Sequence, residues 1–201
     1  MIVSATMGIA VLYAISFVMS LFGSGIGFIV MFAPLGIIFF MGSKIKTMKP
    51  STAQTLFWVF SILMGASLSY VFLTYTATSI VRVFFITAAT FGSMSLYGYT
   101  TKRSLARWGS FLFMGLIGVV IAMVVNIFMQ SELMHFVISI VGVLVFTGLT
   151  AYDTQRIKQS YVESDSRDVM TKKAIMGAIS LYLNFLNMFM LLLMLFGGGR
   201  D

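Results

Sequence analysis

Seven long apolar runs, separated by short polar connections, dominate the pattern of this chain. A helix needs about 20 mostly apolar residues to cross a hydrocarbon layer of about 30 Å. Helices are required because lipid offers no partner to unpaired backbone groups. The pattern predicts an all-α polytopic membrane protein whose residues 1–201 form a single domain of seven transmembrane helices. The runs lie at roughly 2–22, 26–43, 54–74, 79–98, 109–129, 134–153 and 174–196.

The first run and the two prolines refine this prediction. The start, Met1 to Ser4, has no basic n-region, and the apolar stretch after it is too long for a signal peptide. We therefore expect a helix there, and the bare start leaves open whether the natural chain begins further upstream. Pro34 interrupts the second run and predicts a kink, whereas Pro50 lies in a polar connection, where it can begin the third helix.

Composition agrees with a membrane location and excludes other classes. Hydrophobic residues make up 59% of the chain and charged residues 9%, whereas a soluble domain carries about 25% charged residues. Disordered chains are poor in apolar residues, so disorder is excluded too. Cysteine is absent, which removes disulfides, thiolate metal sites and cysteine nucleophiles. Membrane lipid is the expected main partner.

The positive charge indicates an orientation rather than a nucleic-acid partner. The formal net charge is +7, but its basic residues lie between apolar runs and not on the water-exposed face that nucleic-acid binding needs. Eleven of the thirteen basic residues fall in three alternate connections, and such an excess marks the cytoplasmic side. Seven helices then place the N-terminus inside and the C-terminus outside. The eleven are Lys44, Lys46, Lys49, Lys102, Arg103, Arg107, Arg156, Lys158, Arg167, Lys172 and Lys173.

One carboxylate stands out among the six acidic residues. Asp153 directly follows an apolar run, with Arg156 and Lys158 just beyond it. An ionisable group in a membrane segment is costly and is therefore a functional candidate. An interfacial aspartate paired with one of the two basic residues is the alternative, and position alone leaves both interpretations open.

The remaining acidic residues predict no site. Three of them share the longest hydrophilic connection, Glu163, Asp165 and Asp168. Calcium takes six to eight oxygen ligands, but this stretch lacks the EF-hand pattern and is better explained as a solvated loop. Glu132 lies in the short connection that precedes the sixth run, and Asp201 ends the chain.

Amides inside the apolar runs predict hydrogen bonds between helices. Asn184 lies in the middle of the last run with Asn187 at i+3, and Asn126 and Gln130 are spaced i, i+4 in the fifth run.

Signals for an enzyme are weak. His135 is the only histidine, so a His-Glu-x-x-His zinc site is impossible. A dyad of Ser24 and His135 would lie at the outer edge of the bundle, and no motif supports it. Phosphate-binding glycine-rich loops are absent as well. We expect neither an enzyme nor a cofactor.

Four segments resemble the Bax inhibitor (transmembrane Bax inhibitor motif) family in its bacterial members. The longest is Gly142–Lys158, which contains Ala151-Tyr152-Asp153-Thr154-Gln155-Arg156. The others are Ser79–Ala89, Leu96–Arg103 and Ser180–Asn187, so the resemblance covers most of the chain from about Pro34 onward.

The resemblance implies seven helices with the last one central, and a proton-sensitive calcium leak across the membrane. In the family, a carboxylate at the position of Asp153 meets one on the last helix and shares a proton with it, since two close carboxylates cannot both ionise cheaply. A basic residue near the end of helix two joins this latch, and Lys44 matches it. Here Asn184 replaces the second carboxylate, and Met194 replaces a basic residue further along.

These departures leave two functional hypotheses. Asp153 alone can latch to Lys44 or line a cytoplasmic exit that binds calcium weakly and transiently, since conduction requires ions to leave. The ion-pathway or pH-latch residues are then Asp153, Asn184 and Lys44. Alternatively, some bacterial relatives resemble proteins that restrain a membrane-anchored protease, which predicts a non-catalytic modulator in membrane protein quality control. The compact chain is typical of a bacterial source and hence of the inner membrane.

Overall fold

The computed structural model describes residues 25–199, with side chains from Ala33 onward. The first apolar run, 2–22, and Ser24 therefore lie outside the described residues, as do Arg200 and Asp201. Within 25–199 every regular element is a helix, apart from one isolated antiparallel bridge between Tyr75 and Gly199. The helices are α1 (Gly25–Lys44), α2 (Pro50–Ser67), a 3₁₀ turn (Leu68–Tyr70), α3 (Val71–Thr74), α4 (Ala77–Thr100), α5 (Ala106–Met129), α6 (Glu132–Ser160) and α7 (Arg167–Phe196).

Five segments of the described chain are helical, long and apolar enough to cross a membrane. One is Pro50–Thr74, a continuous helical segment formed by α2, the 3₁₀ turn and α3. The other four are the long helices α4, α5, α6 and α7. The part of α1 from Ala33 to Lys44 is a shorter apolar helix. The all-α membrane architecture is confirmed, and the number seven stays a prediction because the first run is not described.

Proline and short polar side chains begin the helices. Pro50 opens α2, as predicted, since its fixed φ suits the first helical position and its missing N–H is not needed there. Thr76, Ser131 and Ser166 cap α4, α6 and α7, each accepting a bond from a backbone N–H three residues on. Pro34 is buried inside α1.

Two helices extend well beyond their apolar runs. The sixth run was expected to end at 153 and the seventh to begin at 174, but α6 continues to Ser160 and α7 starts at Arg167. Apolar runs show only the part of a helix that lipid surrounds, whereas caps such as Ser166 set the helix ends. Asp153 therefore lies about 10 Å before the end of α6, with helical backbone on both sides.

The chain divides into two compact units at Thr74 and Tyr75. In the first unit, α1 packs against α2, and Met41, Ala53 and Phe60 are fully buried. In the second unit, α6 packs against α4, α5 and α7, and α4 also packs against α7. Within this unit α6 has the most neighbours; the predicted central position of the last helix concerns both units and stays a prediction, as does the single domain.

At each end of the second unit, hydrogen bonds join helices that are distant in sequence. At the start of α4 and the end of α7, Thr76 N–H donates to the Gly198 carbonyl at 3.3 Å, and Gly198 N–H donates to Ser79 Oγ at 2.9 Å. At the other end, Gln155 of α6 bonds to the connection after α4, and Lys158 of α6 bonds to the Tyr99 carbonyl in the last turn of α4. We call this second end the basic end, because Arg103, Arg107 and Arg156 are also there.

Candidate functional site

Asp153 is a buried carboxylate on α6, with 8% of the residue exposed. Its Oδ2 atom accepts two hydrogen bonds from α7. Ser180 Oγ donates at 2.6 Å and Asn184 Nδ2 donates at 2.9 Å. Hydrogen bonds to an ionised carboxylate are about twice as strong as neutral ones. This cluster joins α6 to α7, which also pack against each other.

Both donors lie on one face of α7. Ser180 and Asn184 are four residues apart, and side chains at i and i+4 of a helix are neighbours. Asn184 is itself buried, at 6% exposure, so its amide would carry a desolvation cost without a partner. The predicted hydrogen bond across helices is therefore confirmed for Asn184, and its partner is Asp153.

The basic neighbours of Asp153 contribute little to its stabilisation. Arg156 Nη1 is 3.9 Å from Oδ1, and the arginine side chain is 69% exposed, a geometry in which ion pairs are worth little. Lys158 instead donates to the Tyr99 carbonyl at 2.8 Å, with its Nζ 4.4 Å from the Tyr99 ring centroid. Both interpretations left open by position stay predictions, since Asp153 is bonded to α7 and also has Arg156 of its own helix beside it.

A cavity of about 590 Å³ adjoins the carboxylate. Its walls come from α5, α6 and α7 and are mostly apolar, including Phe113, Val119 and Leu149. The polar side chains of the lining are Ser110, Asp153, Arg156, Ser180, Asn184 and Asn187. A mostly apolar pocket with a few convergent polar groups is the usual form of a binding site.

The sequence profile of the family described as "Inhibitor of apoptosis-promoting Bax1" matches residues 1–201. The chain belongs to the Bax inhibitor family. Among its relatives, a Rickettsia prowazekii protein is 49% identical over 181 residues, which cover 90% of this chain and 77% of the relative. The inner membrane protein YbhL of Escherichia coli K12 is 45% identical over 170 residues, which cover 84% of this chain and 73% of that protein. A Caulobacter vibrioides protein is 48% identical over 174 residues, which cover 86% of this chain and 70% of that protein.

Lys44, the third predicted latch residue of this Bax inhibitor family member, is the last residue of α1. It belongs to the first unit and is exposed, and its carbonyl accepts bonds from the N–H groups of Thr47 and Met48 at 3.0 Å. Its pairing with Asp153 stays a prediction.

The hydrophilic connection of this family member is exposed, as predicted, except at Asp165, which is half-buried. Asp165 forms an ion pair with Lys173 Nζ at 2.6 Å, and the same Nζ donates to the Ser160 carbonyl at 2.8 Å. The connection is thus fastened back onto the start of α7. No group of three or more metal-binding side chains occurs within the described residues, so any calcium contact of Asp153 there rests on one carboxylate and neutral oxygens.

Two other amides have local partners instead of the predicted ones across helices. Asn187 Nδ2 donates to the Leu183 carbonyl of its own helix at 2.8 Å. Asn126 Oδ1 accepts from Ser131 N–H at 3.1 Å, and Gln130 ends α5 with φ 49°. Asn126 lies in the last turn of α5, close to the Ser131 N–H, and Asn187 is exposed on α7, so each amide finds its partner locally.

Sequence reasoning missed two polar residues that bond α6 to its neighbours. Ser180 was not singled out, although its spacing of four from Asn184 placed it on the same helix face. Gln155 is 6% exposed; its Oε1 accepts from Leu105 N–H at 2.7 Å and its Nε2 donates to the Arg103 carbonyl at 2.9 Å. No local pattern indicates these bonds, since the partners are about fifty residues away in sequence.

Proposed function

We propose that this protein is a pH-sensitive calcium leak of the bacterial inner membrane, with Asp153 on the ion path. One observation carries the proposal: a buried carboxylate adjoins a cavity of about 590 Å³ that is also lined by hydroxyl and amide groups. Calcium prefers carboxylate and carbonyl oxygens, and a single carboxylate gives the weak binding that conduction needs. The relative YbhL is named an inner membrane protein, which supports the location.

The two oxygens of Asp153 have different tasks in this proposal. Oδ2 accepts both bonds from α7 and holds the two helices together. Oδ1 faces Arg156 at 3.9 Å, too long for a hydrogen bond, and so keeps acceptor capacity for a passing cation. Protonation removes the charge that attracts calcium and weakens both bonds to α7, so proton and calcium compete at one group.

Positive charge supports the proposed orientation. Eleven of the thirteen basic residues lie in the connections between α1 and α2, α4 and α5, and α6 and α7 or in the helix ends beside them, so these connections are cytoplasmic in this proposal. With seven helices the N-terminus is inside and the C-terminus outside. Asp153 then lies near the cytoplasmic mouth of the path, two helical turns before the end of α6.

Calcium flux into liposomes tests this function directly. Purified protein is reconstituted in vesicles loaded with a calcium dye, and flux is measured from pH 5 to pH 8. We expect flux above that of empty vesicles and a pH dependence that disappears in Asp153→Asn, which keeps the side-chain shape without a titrating group. Glu163→Gln is the matched control, because it removes an exposed carboxylate outside the cavity and should leave the profile unchanged. Absence of flux at every pH would overturn the proposal.

A second candidate is a non-catalytic modulator of a membrane-anchored protease. The observation that favours it is the Asn184 amide, which donates to Asp153 at 2.9 Å where a proton-sharing pair would need a second carboxyl. Asp153 then has a structural role, joining α6 to α7. This candidate predicts co-purification with a membrane-anchored protease from native membranes, together with no calcium flux; repeated absence of such a partner would exclude it.

A further inference from the structure

A second recess, here called the α4–α5 groove, lies on another side of α6. Both α4 and α5 pack against α6, but they do not pack along each other. The wedge between them has a volume of about 860 Å³, within the range of about 300–1,000 Å³ that is usual for small-molecule sites. All of its lining residues belong to the second unit.

The interior of the groove is apolar and faces outward from the unit. Val141 and Leu144 of α6 form part of its floor, and Phe111 of α5 forms part of a wall. Leu144 is 66% and Phe111 61% exposed. In a protein whose solvent is lipid, such surfaces are contacted by hydrocarbon and not by water.

The mouth of the groove is cationic and aromatic. Arg103 and Arg107 line it, together with Tyr97 and Trp108. No acidic side chain is among the lining residues, and the ion pairs found in the described part of the chain involve neither arginine. Tyrosine and tryptophan with arginine nearby are typical of the level of lipid headgroups.

Gln155 holds this mouth in place. Its two hydrogen bonds, to Leu105 N–H and to the Arg103 carbonyl, fix the short connection between α4 and α5 to α6. The backbone that carries Arg103 is therefore ordered before any ligand arrives, which reduces the entropy cost of binding.

We propose that the α4–α5 groove binds an anionic phospholipid, with an acyl chain along α6 and the phosphate held by Arg103 and Arg107. Guanidinium groups match phosphate oxygens in bidentate geometry, and basic pockets between transmembrane helices are suited to anionic headgroups. Charge complementarity favours lipid over a second copy of this chain, since the chain carries a net charge of +7 and its basic connections would repel each other. This proposal does not rest on calcium conduction.

Quenching of Trp108 by brominated lipids tests the proposal. Trp58→Phe removes the only other tryptophan and leaves Trp108 as the reporter. The full chain in this background is reconstituted in phosphatidylcholine vesicles with a small fraction of brominated phosphatidylglycerol, and separately with brominated phosphatidylcholine. We expect the anionic lipid to quench more than its mole fraction predicts. The double variant Arg103→Gln/Arg107→Gln should lose this preference. Each arginine should contribute about 1 kcal/mol, or about a fivefold change in the relative affinity for the anionic lipid.

A matched pair of substitutions separates the groove from net charge. Lys49→Gln/Arg167→Gln removes two exposed basic residues that do not line the groove and should keep the preference. Equal loss in both double variants would overturn the proposal, because bulk charge would then explain it. Quenching by the brominated phosphatidylcholine reports that a variant has folded and inserted; if the double variant fails to insert, the two single variants carry the same test.

Other occupants give different results. Inorganic phosphate added at matched ionic strength should not reduce the preference, and displacement by it would show an anion site without a lipid. Trp108 shielded from both brominated lipids would show that protein fills the groove, as in a dimer of this chain. Either result overturns the proposal.

Discussion

At the scale of single residues, one oxygen of Asp153 receives both hydrogen bonds from α7. The donors, Ser180 Oγ and Asn184 Nδ2, are neutral, and the charged neighbour of the carboxylate is the Arg156 guanidinium at 3.9 Å. A buried carboxylate with two charge-assisted bonds is well satisfied, and the loss of either bond leaves it partly unsatisfied.

Removing the Asn184 amide should destabilise the protein far more than removing its neighbour. Asn184→Ala deletes a bond to a buried carboxylate, worth about 1.5–3 kcal/mol. Asn187→Ala deletes a bond within α7 at an exposed position and should cost less than about 1 kcal/mol. Thermal unfolding of the purified protein in one detergent measures the difference. Equal losses of stability in the two variants would show that the Asp153–Asn184 hydrogen bond stabilises the protein no more than the bond of Asn187 does.

Restoring a second carboxylate should create a new pH dependence. In Asn184→Asp the two carboxyl groups must share a proton, because both cannot ionise at this distance. At pH values above the ordinary pKa range of carboxyl groups, the folded state then binds more protons than the unfolded state. The stability of the folded state therefore rises as pH falls. Thermal unfolding between pH 5 and pH 8 should show this rise relative to the unsubstituted chain. If the melting temperatures of the variant and the unsubstituted chain changed with pH in the same way, the two side chains would not interact.

At the scale of helices, small residues decide which elements can approach α6. Gly98 of α4 is buried against the backbone of α6, where a Cβ would overlap the Ala151 carbonyl. Gly109 of α5 similarly lies against the Tyr152 ring. These contacts draw α4 and α5 onto α6 at the basic end, beside the residue that precedes Asp153. Close approach through small residues is the usual way in which helices associate in lipid.

Two glycines of α4 should respond in opposite directions to alanine. Gly98→Ala forces α4 away from α6 and should destabilise the protein by about 1–3 kcal/mol. Gly92→Ala adds a methyl group with nothing within 4 Å and should be neutral or stabilising by up to about 1 kcal/mol, since alanine favours helix more than glycine does. Melting temperatures of the two variants in one detergent measure this. A harmless Gly98→Ala would contradict the close contact between the helices.

At the scale of the whole molecule, charge separates the two ends of the second unit. Basic residues gather where α4 and α6 end and where α5 and α7 begin, whereas Glu132 begins α6 at the opposite end. The proposed orientation follows from this asymmetry. Because the chain has no cysteine, single cysteines can report each end separately.

Labelling with a membrane-impermeant maleimide should reveal this orientation. Glu132→Cys places the thiol at the end expected outside, and Ser164→Cys places it in the connection expected in the cytoplasm; both positions are exposed. In intact cells or spheroplasts with accessible inner membranes, only Glu132→Cys should react, and Ser164→Cys should react after permeabilisation. The reverse pattern would invert the proposed topology.

The amino-acid sequence by itself determined the solvent of this protein and the candidate residue, and the tertiary structure decided how that residue is held. Hydropathy sums over some twenty residues, so lipid selects helices and their approximate positions regardless of what packs against them. The scarcity of carboxylates singled out Asp153 in the same local way. Its partners depend on the rotation and packing of α7 against α6, and no local pattern contains that information. The same holds for the bonds of Gln155 and for the α4–α5 groove, because both arise only where helices distant in sequence meet.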